Sequence, residues 1–378
     1  MWTSQRYISG GEARGVDIDV LERAAEQIAT LANRSPPLPA ILTLKHLAVR
    51  SGTSYVELRR AVARDAIEYR NFHIRKRSGG RRYIQIPPDD LMRAQRWLSE
   101  HVLARIDPHR RSYAFSKGAS IKRCAAQHSG ARWLIKMDVS GFFGSISEIQ
   151  VYRVFLKAGY QPLVAFELAR LATYAPQQSP RYQRAAWVRR KPYDRIWTYT
   201  TERIGYLPQG APSSPMLSNL IMHDIDADLE KLAADHGLTY TRYSDDLSFS
   251  TRKAFDRAHA KRLIASVTRR LAASGLRINE KKTVVVPPRS RKIVLGLLVN
   301  GDEPRLTKGF RSSLRQHLYY MNKLGPGTHA AKRGFDTISG LYNHVLGLIN
   351  YAKMVEPEFA QQARALFDQV DWPAKVQA

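Results

Sequence analysis

"TRYSDDLSFS", residues 241–250, decides how this chain is read. Its alternation of polar and apolar residues is that of a β-strand, yet it carries two adjacent acids, Asp245 and Asp246. Strands disfavour Asp, and neighbouring carboxylates repel one another. The pair is either a solvated turn or the floor of a metal site, and the flanking sequence argues for the second. A third acid, Asp138, ends another strand-like stretch, "WLIKMDVSGFF" (133–143). Between them runs "LPQGAPSSPMLSNL" (207–220), a Gly/Pro loop feeding a helix. Two strands lying side by side would bring Asp138 and Asp245 together as a clamp for two Mg²⁺ ions, about 3.5–4 Å apart, that stabilise the attacking and leaving oxygens of a phosphoryl transfer. Mg²⁺ needs only one or two carboxylates when substrate phosphates complete its shell.

The charge balance points to the same chemistry. Sixty Lys and Arg against 33 Asp and Glu give 378 residues a net charge of +27. Such an excess implies a polyanionic partner, most simply nucleic acid. The one cysteine, Cys124, excludes an internal disulfide and a Cys-based zinc centre. The first twenty residues hold no long apolar run, and no stretch approaches the length of a membrane span, so a soluble, cytoplasmic protein with no membrane partner is expected.

Along the chain, 43–62 reads as two short amphipathic helices around Ser-Gly-Thr, a pattern shared by helix-turn-helix units and by plain packing helices. "HIRKRSGGRRYIQIPP" (73–88) reads as a hairpin with a Gly-Gly turn, stopped by Pro-Pro. Helices follow at about 89–106 and 148–175, a long one up to 237, and one over 255–274. Residues 238–250 form a hairpin with the acids at its tip, and "LRINEKKTVVV" and "RKIVLGLLVNGDE" read as strands. The segment at about 176–206 is rich in Pro, Arg and aromatics, and 304–378 reads as helical. Strands and helices thus mix in one central unit.

"LIKMDVSGFFGSI", "LPQGAPSSPMLSNL" and "YSDDLSFS" together resemble the palm motifs of reverse transcriptases, in the family's order. "KRSGGRRYIQIPP" resembles the fingers motif, "INEKKTVVV" the lysine-bearing motif after the catalytic hairpin, and "VLGLLVNGDE" the primer grip; the resemblance spans roughly residues 43–350. It implies an α+β, right-hand polymerase fold with fingers, a palm built on an antiparallel sheet, and a helical thumb. The expected division is an N-terminal extension (1–42), fingers (43–132), palm (133–300, with the basic insertion) and thumb (301–378). By that resemblance Asp138, Asp245 and Asp246 are the catalytic acids. Two Mg²⁺ ions, or Mn²⁺ in their place, would be held by Asp138, the Val139 backbone and Asp245, with a lesser part for Asp246. Lys76, Arg82, Phe143, Gln209, Gly210 and Lys281 or Lys282 would meet the incoming dNTP, Phe143 as a gate against the 2′-OH and the lysine as general acid for pyrophosphate. Tyr243 and Gly296 would contact primer or template.

The retron reverse transcriptases are the nearest resemblance. They carry an Asn-Ala-x-x-His stretch and a Val-Thr-Gly triplet, for which this chain has "CAAQH" (124–128) and "VLG" (294–296), with Cys124 for Asn and Leu295 for Thr. About 75 residues follow the primer-grip stretch, enough for a thumb and too few for a further enzymatic domain. The resemblance implies a non-coding RNA that is both template and primer, a branched RNA–DNA product, and a toxic effector in anti-phage defence. It offers His128, Arg311, Arg315, Tyr319 and Tyr320 as RNA contacts. The competing readings are another stand-alone bacterial or intron-derived reverse transcriptase, and an RNA-binding protein that has lost catalysis.

Overall fold

The computed structural model describes residues 4–65, 67–75, 79–175 and 204–373. Lys76 and nearly all of the expected basic insertion lie outside the described residues.

Four helices lead: α1 (Ser4–Glu12), α2 (Ile18–Ala32), α3 (Leu44–Ser51) and α4 (Tyr55–Ala63). Side-chain oxygens of Thr43 and Ser54 accept the orphan N–H groups that open α3 and α4, and Gly52 ends α3 in the left-handed region. Leu44, Leu47, Leu58 and Val62 turn inward to the main core, so this pair is a packed helical hairpin. The hairpin β1 (Arg70–Arg75) and β2 (Arg81–Ile86) follows, then α5 (Asp89–His101) and α6 (Ile121–Ala126).

The centre is a four-stranded sheet of β3 (Trp133–Asp138), β4 (Thr239–Tyr243), β5 (Asp246–Thr251) and β6 (Val284–Val286), in the order β4-β5-β3-β6, all antiparallel. Strand alternation sends Ile135, Met137, Leu247, Phe249 and Tyr240 into one hydrophobic core. It sends Leu134 to the other face, into a second core. Each fully buried side chain of this size contributes about 1.5–3 kcal/mol, and a one-residue slip would turn all of them outward. The register that buries this apolar set therefore also sets the place of Asp138.

Helices α7 (Glu148–Lys157), α8 (Pro162–Ala172), α9 (Ser214–Ile221), α10 (His223–Asp235) and α11 (Arg257–Ala273) pack around the sheet. Met222 separates α9 from α10, so the expected single helix is two. The stretch read as a strand before 286 is mostly irregular. Glu280–Lys282 is a 3₁₀ turn, anchored by the Asn279 N–H on the Asp138 carbonyl (2.7 Å), and only Val284–Val286 pairs with β3.

The C-terminal unit begins with a small antiparallel sheet, β7 (Ile293–Val294), β8 (Leu297–Leu298) and β9 (Arg305–Leu306). Helices α12 (Lys308–Leu324), α13 (Pro326–Arg333), α14 (Ile338–Val355) and α15 (Pro357–Asp368) complete the second core. The β7–β8 turn places both Leu295 (φ 49°) and Gly296 (φ 85°) at positive φ, the backbone of a type I′ turn. Leucine is costly there, and its side chain offsets the strain by packing on the second core. Among the described residues no helix is long and apolar enough to cross a membrane.

Candidate active site

Tyr243 of β4 pairs with Asp246 of β5, so the turn between them is only Ser244 and Asp245. Ser244 takes φ 59°, which a small residue tolerates better than a bulky one. The Val139 N–H donates to the Asp245 carbonyl (3.0 Å) and ties this turn to the end of β3. Asp138 and Asp245 thereby face one cleft of about 1430 Å³, which Arg82, Phe143, Gln209 and Lys282 also line. Asp246 is not among the lining residues; register places it opposite Asp138, on the sheet face it shares with Lys136.

Burial raises the pKa of the Asp245 carboxyl, and the charge of Asp138 adds to the rise. Burial and the Asp245 charge do the same to Asp246. The Lys282 ammonium sits 2.6 Å from Asp138 Oδ2, and this bond lifts its pKa above the usual lysine value. With Asp245 and Asp246 resisting ionisation and an ammonium drawn onto the neighbouring Asp138, the site is short of positive charge. Among the described residues no three carboxylate, imidazole or thiol side chains gather into a metal site. A divalent cation here would use Asp138, Asp245 and the Val139 carbonyl, with substrate phosphates supplying the rest, and the donor set fits Mg²⁺ on those terms.

Several sequence expectations are corrected by position. Both adjacent lysines are exposed, but Lys282 lines the cleft and meets Asp138, whereas Lys281 lies outside it. Gly210 (φ 125°) lines the cleft and also abuts β2: an added Cβ would stand 3.0 Å from the Gln85 carbonyl oxygen and from Ile84. The Gln209 carbonyl beside it accepts the Gln85 N–H (2.7 Å), which fastens the loop to the β1–β2 hairpin. Phe143 is half-buried after β3, against Phe142 and Phe115. Sequence reading missed Phe115, which lines the cleft at φ 62° and is 44% exposed; positive φ at a bulky residue leaves no mark in composition or spacing. Tyr243 is half-buried at the end of β4, and Gly296 is the exposed tip of the β7–β8 turn.

His128 is not on an RNA-facing surface. It is 1% exposed, and its two ring nitrogens bond Ser250 Oγ and Thr241 Oγ1, each at 2.7 Å, bridging β5 and β4. Burial lowers its pKa to about 3, so at neutral pH the ring is uncharged, with one nitrogen donating and the other accepting. Cys124 Sγ meets the same Thr241 hydroxyl (3.4 Å), and burial pushes this thiol up to about 11. An unfolded histidine titrates near 6.5 and this one near 3, so the unfolded chain takes up the proton first. Stability contributed by His128 is present above pH 6.5 and is lost as pH falls from there toward 3. His128→Gln is expected to flatten that part of the stability profile without altering RNA affinity, as measured by thermal unfolding and by filter binding.

The thumb candidates divide. Arg311 is paired with Glu356 (2.6 Å) and Arg315 lies over the Phe359 ring, so both brace α12 against the end of the chain. Tyr319 and Tyr320 are exposed, and the Lys323 ammonium bonds the Tyr319 hydroxyl (3.1 Å).

Residues 74–298 match the family model described as reverse transcriptase (RNA-dependent DNA polymerase). The retron Ec86 reverse transcriptase of Escherichia coli is 27% identical over 301 residues, covering 79% of this chain and 84% of that protein. Two Myxococcus xanthus enzymes, the retron Mx162 and Mx65 reverse transcriptases, are 32% and 31% identical over 274 and 294 residues, 69% and 78% of this chain. The alignments span only 54% and 63% of those two longer proteins. The matched stretch takes in Asp138, the Gly/Pro loop, the acidic turn and Lys282. The chain belongs to the reverse transcriptases, with their right-hand polymerase fold, and is an RNA-directed DNA polymerase of the bacterial retron type.

Proposed function

We propose that the protein copies part of a cognate structured non-coding RNA into single-stranded DNA that stays joined to the RNA through a guanosine 2′-OH, as a component of anti-phage defence with a toxic effector. The observation that carries the catalytic part is the convergence of Asp138, Asp245 and Lys282 in one cleft. Asp138 and Asp245, with the Val139 carbonyl, would hold two Mg²⁺ ions, for which Mn²⁺ can substitute. Bound there, they would neutralise charge on the transferring phosphoryl group. Asp246, opposite Asp138, adds negative charge to the site. Arg82 on β2 faces the triphosphate, as Lys76 is expected to. Gln209 and Phe143 frame the sugar and base, and Tyr243 supports the primer end. Lys282, protonated and already within the cleft, is placed to protonate the departing pyrophosphate, where a positioned acid supplies about 10²–10⁴-fold. Tyr319 and Tyr320 offer exposed rings for RNA stacking.

Purification with the RNA of its own locus, followed by sequencing of the bound nucleic acid, tests this reading. A 2′–5′-linked RNA–DNA species supports it, and a catalytically competent preparation holding RNA without DNA overturns it. Phe143→Ala tests the gate. Discrimination against ribonucleotides, read as the ratio of kcat/KM for dNTP and rNTP, is expected to fall by about 10–100-fold, the range set by a pocket contact of about 1–3 kcal/mol.

A further inference from the structure

Arg242 stands on β4 three residues before Asp245, and strand alternation sends its side chain into the core, away from the cleft. It is fully buried, as is its partner Asp226 on α10. Its Nε and Nη2 donate to the two carboxylate oxygens at 2.8 and 2.7 Å, and the Tyr240 hydroxyl donates to the same carboxylate (2.8 Å). Its remaining terminal nitrogen, Nη1, donates to Asn219 Oδ1 (3.0 Å) and to the backbone carbonyl of Ser244 (3.1 Å). Asn219 is fixed in turn, since its amide donates to the Ala114 carbonyl (2.6 Å) and its oxygen accepts from the Ser112 hydroxyl (2.9 Å).

Stability alone is a poor reason for such a pair. Desolvating two charges is expensive, and apolar residues of equal volume often do as well or better. What they could not supply is a donor aimed at one backbone carbonyl. That carbonyl belongs to Ser244, the residue at φ 59°, in a two-residue turn whose other member is Asp245. The turn is thus held at both of its carbonyls: Ser244 by Arg242 from the core, Asp245 by the Val139 N–H from β3. Strained backbone persists only where its surroundings over-determine it.

We propose that Arg242, braced by Asp226 and Asn219, is a positioning residue for catalysis: it locks the Ser244 carbonyl and so aims the Asp245 carboxylate at the cation shared with Asp138. This rests on Asp245 being a metal-holding carboxylate, as read above. A misplacement near 1 Å in such a group can cost about 10²-fold in rate.

Arg242→Lys keeps a charge for Asp226, but one ammonium cannot bond both carboxylate oxygens, Asn219 and Ser244 together. The double variant Arg242→Met, Asp226→Leu removes the pair and keeps an apolar core. In whichever variant retains the wild-type circular dichroism spectrum and RNA affinity, kcat is expected to fall by about 10–100-fold at unchanged dNTP KM. Mn²⁺ affinity of the nucleotide-free protein, read by calorimetry, should weaken by about 10-fold or more. A folded variant with wild-type kcat and Mn²⁺ affinity overturns the proposal. Asp245→Asn is run beside them. If it abolishes synthesis while the Arg242 variants do not, only the positioning role falls. If it leaves synthesis intact, the metal reading falls and the positioning role with it.

Discussion

Asp245→Asn is expected to lower DNA synthesis by about 10³-fold or more, several kcal/mol of transition-state charge stabilisation, while raising the melting temperature of the metal-free protein. The two effects share one cause. Burial and the Asp138 charge raise the Asp245 pKa, so the ionised group is less stable in the fold than in the unfolded chain. The sign follows: in the absence of metal, lowering the pH through the range above the ordinary Asp value favours the folded state at this residue, and at neutral pH the charge is a net cost. An uncharged amide of the same shape removes that cost and also removes the negative oxygen that a divalent cation needs. Synthesis assays on an RNA template, with thermal unfolding in chelator and in Mg²⁺, check both halves. Wild-type protein should gain stability from Mg²⁺, and the variant should gain less. A variant that loses activity and also melts earlier in chelator would contradict the electrostatic account.

Glu148→Ala is expected to destabilise the protein by about 3–5 kcal/mol, because it takes the carboxylate away from two guanidinium groups held inside the fold. Glu148 opens α7 behind the cleft and is 8% exposed. Arg64, which ends α4, and Arg170 of α8 both pair with it, and the Gly205 N–H donates to it at 3.0 Å. Burial pushes its carboxyl upward, yet the two guanidinium groups more than offset this and hold its pKa below the ordinary value. Its contribution is therefore present at neutral pH and is lost as pH falls through that lowered pKa. A Cβ at Gly205 would stand 2.5 Å from Arg64 Nη2 and 2.7 Å from Glu148 Oε2, so a larger residue would have to push this ion pair aside. Urea unfolding of Glu148→Ala and Glu148→Gln tests the ranking: the amide keeps some hydrogen bonds and should lose less. Equal and small losses would mean that the cluster adds little.

What was legible in the chain was what chemistry demands locally. An acid closing an apolar strand, two acids in a tight turn and a Gly/Pro loop before a helix are each set by neighbours a few residues away, and all three meet in the cleft. Distant partners were not legible. Nothing near Gly210 indicates that β2 presses on it, and nothing near His128 indicates that Thr241 and Ser250 would take both its nitrogens. Lys281 and Lys282 are chemically alike, and only the 3₁₀ turn that carries them decides which meets Asp138. Arg311 reads as a free cation until Glu356, on the far side of two further helices, is brought against it. Arg242 is the instructive miss. It lies beside the motif that decided the fold, yet its role depends on Asp226 and on the face of the sheet to which it is turned.

The catalytic strand β3 lies on the seam between two hydrophobic cores, with Ile135 and Met137 in one and Leu134 in the other. The second core takes its members from both sides of β3 in the sequence, from Ala125 to Trp372. Leu134 shares that core with Ala125, which precedes it, and with the helices of the C-terminal unit. The strand that ends in Asp138 therefore draws part of its support from the C-terminal unit. Loosened packing among the C-terminal helices would be felt at β3, and through it at the place of Asp138.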